Sequence, residues 1–333
     1  VYTITDTIDI TNSNISLIGS GPGTIIEASG SIDVISAANV ENIMIKNLTI
    51  RGGNRGIVFS SVVNSQIVGC WTKNTSGHGI EVGTSENNIV RSNVVRSAGD
   101  SGIMIWNSAH NVVSSNICEL NTNYGIYMGG DQWSRQNTIT NNVIDSNGTG
   151  INVWQGSRST MTGNVFKNNT SWGISVSSGH ELSITGNSFE NNGNGINLTA
   201  SNRNAISANT IYDTAQDGIK LDTGADYNVV SGNVVYGKSS SNGTGVVING
   251  SQNTVIGNYL SNYWAGVGMW GGDNNAILSN KFWSVGTHGI YLGSGSENNL
   301  VSNNDLAAGG PITIDGATGM SYGAGNRNQY GEW

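Results

Sequence analysis

The chain is short of charge, of proline and of cysteine. Only 11% of its 333 residues are charged, against about 25% in ordinary soluble domains. Fourteen Lys+Arg face 22 Asp+Glu, giving a formal net charge of −8. Basic residues are few and scattered, so no nucleic-acid partner is expected. Prolines stand only at Pro22 and Pro311, and apolar residues reach 36%. That composition argues against a Pro-rich linker and against a low-complexity disordered chain. No unbroken run of about 18 apolar residues occurs, so no membrane span is expected. The cysteines, Cys70 and Cys118, are too few to staple a fold.

What the chain has instead is glycine, 48 of them, in a repeat. The pattern Gly-Ile-x-Val starts at Gly56, Gly79, Gly102, Gly125, Gly150, Gly173, Gly195, Gly218, Gly245, Gly266 and Gly289. Roughly nine residues earlier stands an asparagine, in the series Asn47, Asn93, Asn116, Asn142, Asn164, Asn187, Asn209, Asn233, Asn258, Asn280 and Asn303, with Cys70 as its one substitution. The asparagines recur every 22 to 26 residues. A period of this size, with short strands and no 3.6-residue apolar pattern, predicts an all-β parallel solenoid of about 12 rungs. Equivalent residues then stack about 4.8 Å apart. Within Gly-Ile-x-Val the two apolar side chains point inward and x points outward. Two residues after the asparagine comes a second inward column, Val95, Cys118, Ile144, Phe166, Phe189, Ile211, Val235, Leu260 and Phe282. The stacked asparagines suit tight turns, where Asn tolerates the left-handed conformation and its amide bonds the next Asn along.

This pattern resembles the right-handed parallel β-helix superfamily. The resemblance covers residues 34–315; residues 1–33 read as N-terminal rungs of the same domain and 316–333 as a C-terminal tail. The superfamily includes pectinases, polysaccharide lyases, epimerases, phage tailspikes and archaeal and bacterial surface proteins, so the resemblance implies a fold and leaves function to the sites. Stacked two rungs apart, Cys70 and Cys118 lie about 9–10 Å from one another along the axis, too far for a disulfide; they are expected as buried free thiols. Val1 opens the chain without Met or a signal peptide, as in a processed or trimmed chain. Sequons at Asn14, Asn74, Asn147 and Asn242, among others, are compatible with a secreted glycoprotein. Val1 to Ile4 already alternates like a strand, and the tail keeps only Tyr330 and Trp333 as large apolar residues, so both ends are expected to lack a helical cap and to invite stacking.

Enzymes of this architecture place catalytic groups on the outward positions of the Gly-Ile-x-Val strand. Two clusters there are candidates for chemistry: His78 with Glu81, and Asp217, Lys220 and Asp222 on one rung. Paired carboxylates suit glycoside hydrolysis, although Lys220 is expected to depress both acids, which disfavours a general acid at neutral pH. The alternative is an exposed ion-pair rung, and a turn residue in the case of His78. Ser76-Gly77-His78-Gly79 resembles the Gly-His-Gly of polygalacturonases, but that family's Asn-Thr-Asp, Asp-Asp and Arg-Ile-Lys motifs are missing. The Asp-Pro-His of mannuronan epimerases cannot occur with prolines at 22 and 311 alone, and no acidic cluster suits a calcium-dependent pectate lyase. The motifs therefore weigh against catalysis, and neither metal nor cofactor is expected.

Aromatics are the remaining signal. Trp106, Trp154 and Trp270 share one outward slot, with Tyr127 and Tyr291 beside it and Trp172, Tyr124 and Trp264 near the turn. Such rings form sugar platforms or protein interfaces. Two functions stay open. One is a secreted structural protein, extracellular or on the cell surface, that self-associates through these rings and its uncapped ends into a layer, sheath or filament. The other is a carbohydrate-active protein, a polysaccharide hydrolase, a lyase or a tailspike-like glycan binder, using the same face.

Overall fold

The computed structural model describes residues 1–131, 134–308, 310–323, 325–328 and 331–332. Among them there are strands, turns and bends but no helix. The strands fall into three series, opened by Tyr2–Ile4, Ile8–Ile10 and Ser16–Ile18, here called the first, second and third sheets. Up to the last strand pair, successive strands of the chain visit the three in turn, and neighbours within a sheet are parallel. The second sheet has 14 strands. The solenoid therefore has about 14 turns, against the 12 or so expected, because Ile8–Ile10, Ile35–Ala38 and Ile312–Ile314 add second-sheet strands outside the Gly-Ile-x-Val pattern. The expected tail also pairs: Ser321–Tyr322 runs beside Leu300–Ser302, and Arg327–Asn328 pairs antiparallel with Gly331–Glu332. Tyr330 and Trp333 lie outside the described residues.

The chain divides into two compact units, Val1–Thr170 and Ser171–Trp333. In the first, Ile80, Ile103, Ile126 and Ile151 stand in register, as do Glu81, Met104, Tyr127 and Asn152. The isoleucines have no exposure, whereas the second set is half-buried on the outer face. In the second unit Ile196, Ile219 and Val246 repeat the inner column. The glycine opening each motif is demanded by packing. A Cβ on Gly79 would lie 2.2 Å from Val95 Cγ1, and one on Gly125 2.5 Å from Ile144 Cγ2, so the second inward column fills the space a side chain would need.

Asparagine amides hold the turns. Asn116 donates its Nδ2 to Val90 O at 2.9 Å and to Asn142 Oδ1 at 3.0 Å, while its own Oδ1 accepts Asn93 N and Nδ2, both at 3.0 Å. Both donors and both lone pairs are thus used, which is what a fully buried amide requires. The left-handed conformation belongs to the residue before, Ser115 (φ 55) or Asn141 (φ 55). The expectation that the ladder asparagines adopt it is corrected: the side chain needs the slot, and the neighbour turns the chain. Asn47 and Asn303 have φ 55 and 56 and are these preceding residues. Leu48 and Asn304 occupy the ladder slot in their place, and Cys70 keeps it by donating its backbone N–H to Asn93 Oδ1 at 2.9 Å. Two further ladders run beside it in the first unit, Asn88–Asn111–Asn137 and Asn121–Asn147–Asn169. Cys70 and Cys118 are free and buried; burial pushes the Cys70 thiol up to about 11 and that of Cys118 higher still.

Candidate functional site

The outer face of the second sheet carries the candidate residues, because its strands are the longest and the x position of each motif faces away from the core. In the first unit this face is covered by rings. Trp106 lies near-parallel to Tyr127 (20°, centroids 6.2 Å) and to Trp154 (16°, 6.0 Å), with Tyr124 tilted against Tyr127 at 5.4 Å. These separations describe an offset series. Trp106 and Trp154 are two turns apart, with Gly129 in register between them. The Tyr127 ring folds over that glycine, where a Cβ would lie 2.6 Å from ring atoms. Beside the rings His78, Asp100, Ser101, Met104, Trp106, Tyr124 and Tyr127 enclose a hollow of about 140 Å³.

His78 and Glu81 are not partners. Arg55 takes Glu81 through Nη1 at 2.8 Å and grips Asp33 with Nε at 2.9 Å and Nη2 at 2.5 Å. The Arg55 hydrogen bonds hold the Asp33 carboxyl below the usual carboxylate range, against its partial burial. His78 faces Asp100, with Nδ1 3.9 Å from the carboxylate and accepting Ser101 N–H at 3.4 Å. Asp33 and Asp100 lie outside the repeat columns, so the sequence pattern did not single them out.

In the second unit Lys220 and Asp222 form an ion pair of 3.0 Å. Asn249 Nδ2 donates to the other oxygen of Asp222 at 3.1 Å. Partial burial opposes its charge, but the bonds from Asn249 and Lys220 prevail and hold this carboxyl low. Asp217 behaves in the opposite way. Burial pushes its carboxyl up, although Thr244 N–H donates to it at 2.9 Å and Lys220 is near. The expectation that Lys220 depresses both acids is therefore corrected for Asp217, where desolvation outweighs the attraction. Asp217 lines an open trough of about 600 Å³ with Gln216, Asn242, Thr244 and Trp264.

Trp264 joins this trough to a second group of rings. It lies near-parallel to Trp270 (19°, 6.3 Å) and takes His288 edge-on at 4.8 Å, while Tyr291 tilts against Trp264 and Trp270 at 5.8 and 5.6 Å. The Trp270 ring seats on Gly268, where a Cβ would lie 2.4 Å from it. Tyr291 donates its hydroxyl to Asp315 at 2.9 Å, and His288 Nδ1 pairs with Thr313 Oγ1 at 2.7 Å. Trp172 opens the strand Trp172–Ser177 in register with Asn194. Arg55 and His288 stand one place before the glycine of their motifs and Trp264 two places before it, where the sequence marks a turn and gives no sign that the side chains fold onto the sheet. The glycine seats Gly129 and Gly268 were legible only as gaps in the outward columns.

Among solved structures the chain is similar to the A-module of the mannuronan C-5 epimerase AlgE6 of Azotobacter vinelandii, with 17% identity, a TM-score of 0.63, and 95% of this chain and 88% of that one covered. It is similar to the tailspike protein of E. coli bacteriophage HK620 in complex with pentasaccharide, at 13% identity and TM-score 0.55 over 96% and 74% of the two chains. The periplasmic alginate epimerase AlgG is similar at 14% identity and TM-score 0.54 over 91% and 79%. At these identities the likeness is one of fold. Comparison with curated protein sequences gives no match. Residues 2–194, 130–265 and 174–330, in three overlapping matches, fit the family described as periplasmic copper-binding protein (NosD). Together these ranges span nearly the whole chain, and the chain, a right-handed parallel β-helix, belongs to that family.

Proposed function

We propose that this chain is a glycan-binding β-helix protein that works outside the cytoplasm, with the ring-covered face of the second sheet as its binding surface. The observation that carries the reading is the Tyr127–Trp106–Trp154 series, with Trp154 40% exposed, and its counterpart around Trp270, 43% exposed. A pyranose presents flat faces of C–H groups that gain by burial against a ring, while hydroxyls around its edge need polar partners. Asn152, on the same face of the first unit, offers such a partner. Of the two classes the sequence left open, the comparisons favour this one. The structural neighbours are described as alginate epimerases and as a tailspike holding a pentasaccharide, and none of these is described as forming a layer or filament. A place outside the cytoplasm is supported by the word periplasmic in the descriptions of the family and of AlgG.

The test is an oligosaccharide-binding screen of the native protein against Trp106→Ala/Trp154→Ala and Trp270→Ala variants. Binding that falls at least about tenfold in the variants, with folding intact, is expected for rings at the centre of a site. Binding unchanged in both variants would sink the reading.

A second reading, polysaccharide hydrolysis, is favoured by Asp217 and Asp222. Two neighbouring carboxyls pushed in opposite directions are what a general acid and an ionised partner require. Release of new reducing ends, lost in Asp217→Asn, would establish it.

The copper in the family's name does not find a fitting donor set here. No group of three or more His, Cys, Asp or Glu side chains is placed to hold a metal among the described residues. Both thiols are buried and hard to ionise. His78, His180 and His288 each spend Nδ1 on a local bond, to Ser101, Asn202 and Thr313.

A further inference from the structure

We infer that the ring-covered face selects uncharged oligosaccharides and rejects polyanionic ones such as oligouronates. The inference rests on the glycan-binding reading and adds the substrate class.

Little positive charge on this face is available to a ligand. The strands of the second sheet contain no Arg and one Lys, Lys220, and Arg55 stands just before one of them. Both are engaged. Arg55 places three of its donors on Asp33 and Glu81, and Lys220 sits 3.0 Å from Asp222. Arg203, on a turn beyond that sheet, faces Glu181 at 3.7 Å. A sugar carboxylate is normally held by a guanidinium or ammonium group that can meet it directly. Here a uronate would have to strip Arg55 from two protein carboxylates, or Lys220 from one, and would leave those carboxylates unpaired in its place.

Carboxylates, meanwhile, are in excess on this face. Asp33, Glu81 and Asp100 flank the rings of the first unit, and Asp217, Asp222 and Asp315 those of the second. His288, lying against Trp264, offers no compensating charge at neutral pH, because burial lowers its basicity. A divalent cation could in principle bridge a uronate to such a surface, but no group of three acidic, His or Cys side chains is placed to hold one among the described residues. What the face does offer is flat rings, amides and hydroxyls, the complement of a neutral pyranose. An oligouronate repeats its negative charge on every sugar, so each residue laid on the rings meets this field within a Debye length, about 10 Å at 0.1 M salt.

The experiment is calorimetric titration of the full chain with neutral gluco- and manno-oligosaccharides and with oligomannuronates of equal length. It is run at low and at high salt, with Debye lengths of about 30 Å and about 3 Å. We expect at least one neutral series to bind with little salt dependence. Oligomannuronate should bind at least about tenfold more weakly at low salt, the gap narrowing as salt screens the repulsion. In Glu81→Gln, which frees one donor of Arg55, the gap should also narrow. Oligomannuronate binding as tightly as the neutral series, or weakening as salt rises, overturns the inference and leaves the glycan reading standing. Binding of neither class overturns the glycan reading and the inference together.

Discussion

The ring of Tyr127 lies over the α-carbon of Gly129, two residues along the same strand, so closely that a methyl group there would sit 2.6 Å from the ring atoms. The glycine keeps the ring down on the sheet beside Trp106, and Gly268 does the same for Trp270. Gly129→Ala is therefore expected to lift the Tyr127 ring and break up the series. Because the obstructing group is a side chain that can rotate, the stability cost should stay near 1 kcal/mol. Near-ultraviolet circular dichroism should change, and oligosaccharide affinity should fall several-fold; an unaltered spectrum would mean that the ring does not depend on the seat.

Asn142 and Ser115 test the division of labour at the turns. Asn142→Ala removes the acceptor of Asn116 N and Nδ2 and the donor to Val113 O. Stranding those buried groups should cost about 3 kcal/mol. Ser115→Gly relieves a left-handed residue and is expected to range from neutral to about 1 kcal/mol stabilising. Denaturant unfolding of the two variants checks both values, and equal effects would refute the assignment.

Arg55→Met should destabilise the first unit by about 1–3 kcal/mol at pH 7, between the values for exposed and buried pairs, since its side chain is 31% exposed. The sign with pH follows from Asp33, whose carboxyl is held low in the fold. Its stabilisation is present above the ordinary carboxylate pKa of about 3.9 and disappears as pH falls through the lower folded value. The gap between parent and Arg55→Met, followed by thermal unfolding, should therefore narrow in acid.

Asp217 has the opposite sign. Its folded carboxyl is raised by burial, so the native state holds a proton that the unfolded chain has released, and stability falls as pH rises from about 4 through the folded value. Asp217→Asn removes that loss. The variant should melt higher than the parent at pH 7 and converge with it near pH 3; a lower melting point at pH 7 would show that the ionised carboxylate is needed for folding.

The Asn93–Asn116–Asn142 ladder was legible because each member recurs at the same point of every turn. The Asn88–Asn111–Asn137 ladder was harder to see, since Ser65 and Ser159 take the asparagine's place on either side of it. The slips at Asn47 and Asn303 have a simple cause. Adjacent positions both accept Asn, one for its left-handed backbone and the other for its amide, and spacing alone does not separate them. In the candidate site the outward rings were legible and their seats were not. Glu81 was paired with His78 on proximity in sequence, whereas Arg55, one turn earlier, lies closer in space.

By itself the sequence determined the solenoid and which side chains face in or out. These follow from backbone repetition and from strand alternation, both local and both repeated often enough to average out irregularities. Only the tertiary structure decided which carboxylate Arg55 and Lys220 bind, that burial prevails at Asp217 and hydrogen bonding at Asp222, and that the rings lie over glycines. The Arg55 contacts, 22 and 26 residues distant in the chain, need atoms brought from neighbouring turns about 4.8 Å away. The Lys220–Asp222 pair and the ring seats join residues two apart in the chain and depend on the rotamer that those turns leave open. A side chain chooses its rotamer and its partner there from whatever those turns present, and a repeat pattern carries no record of that choice.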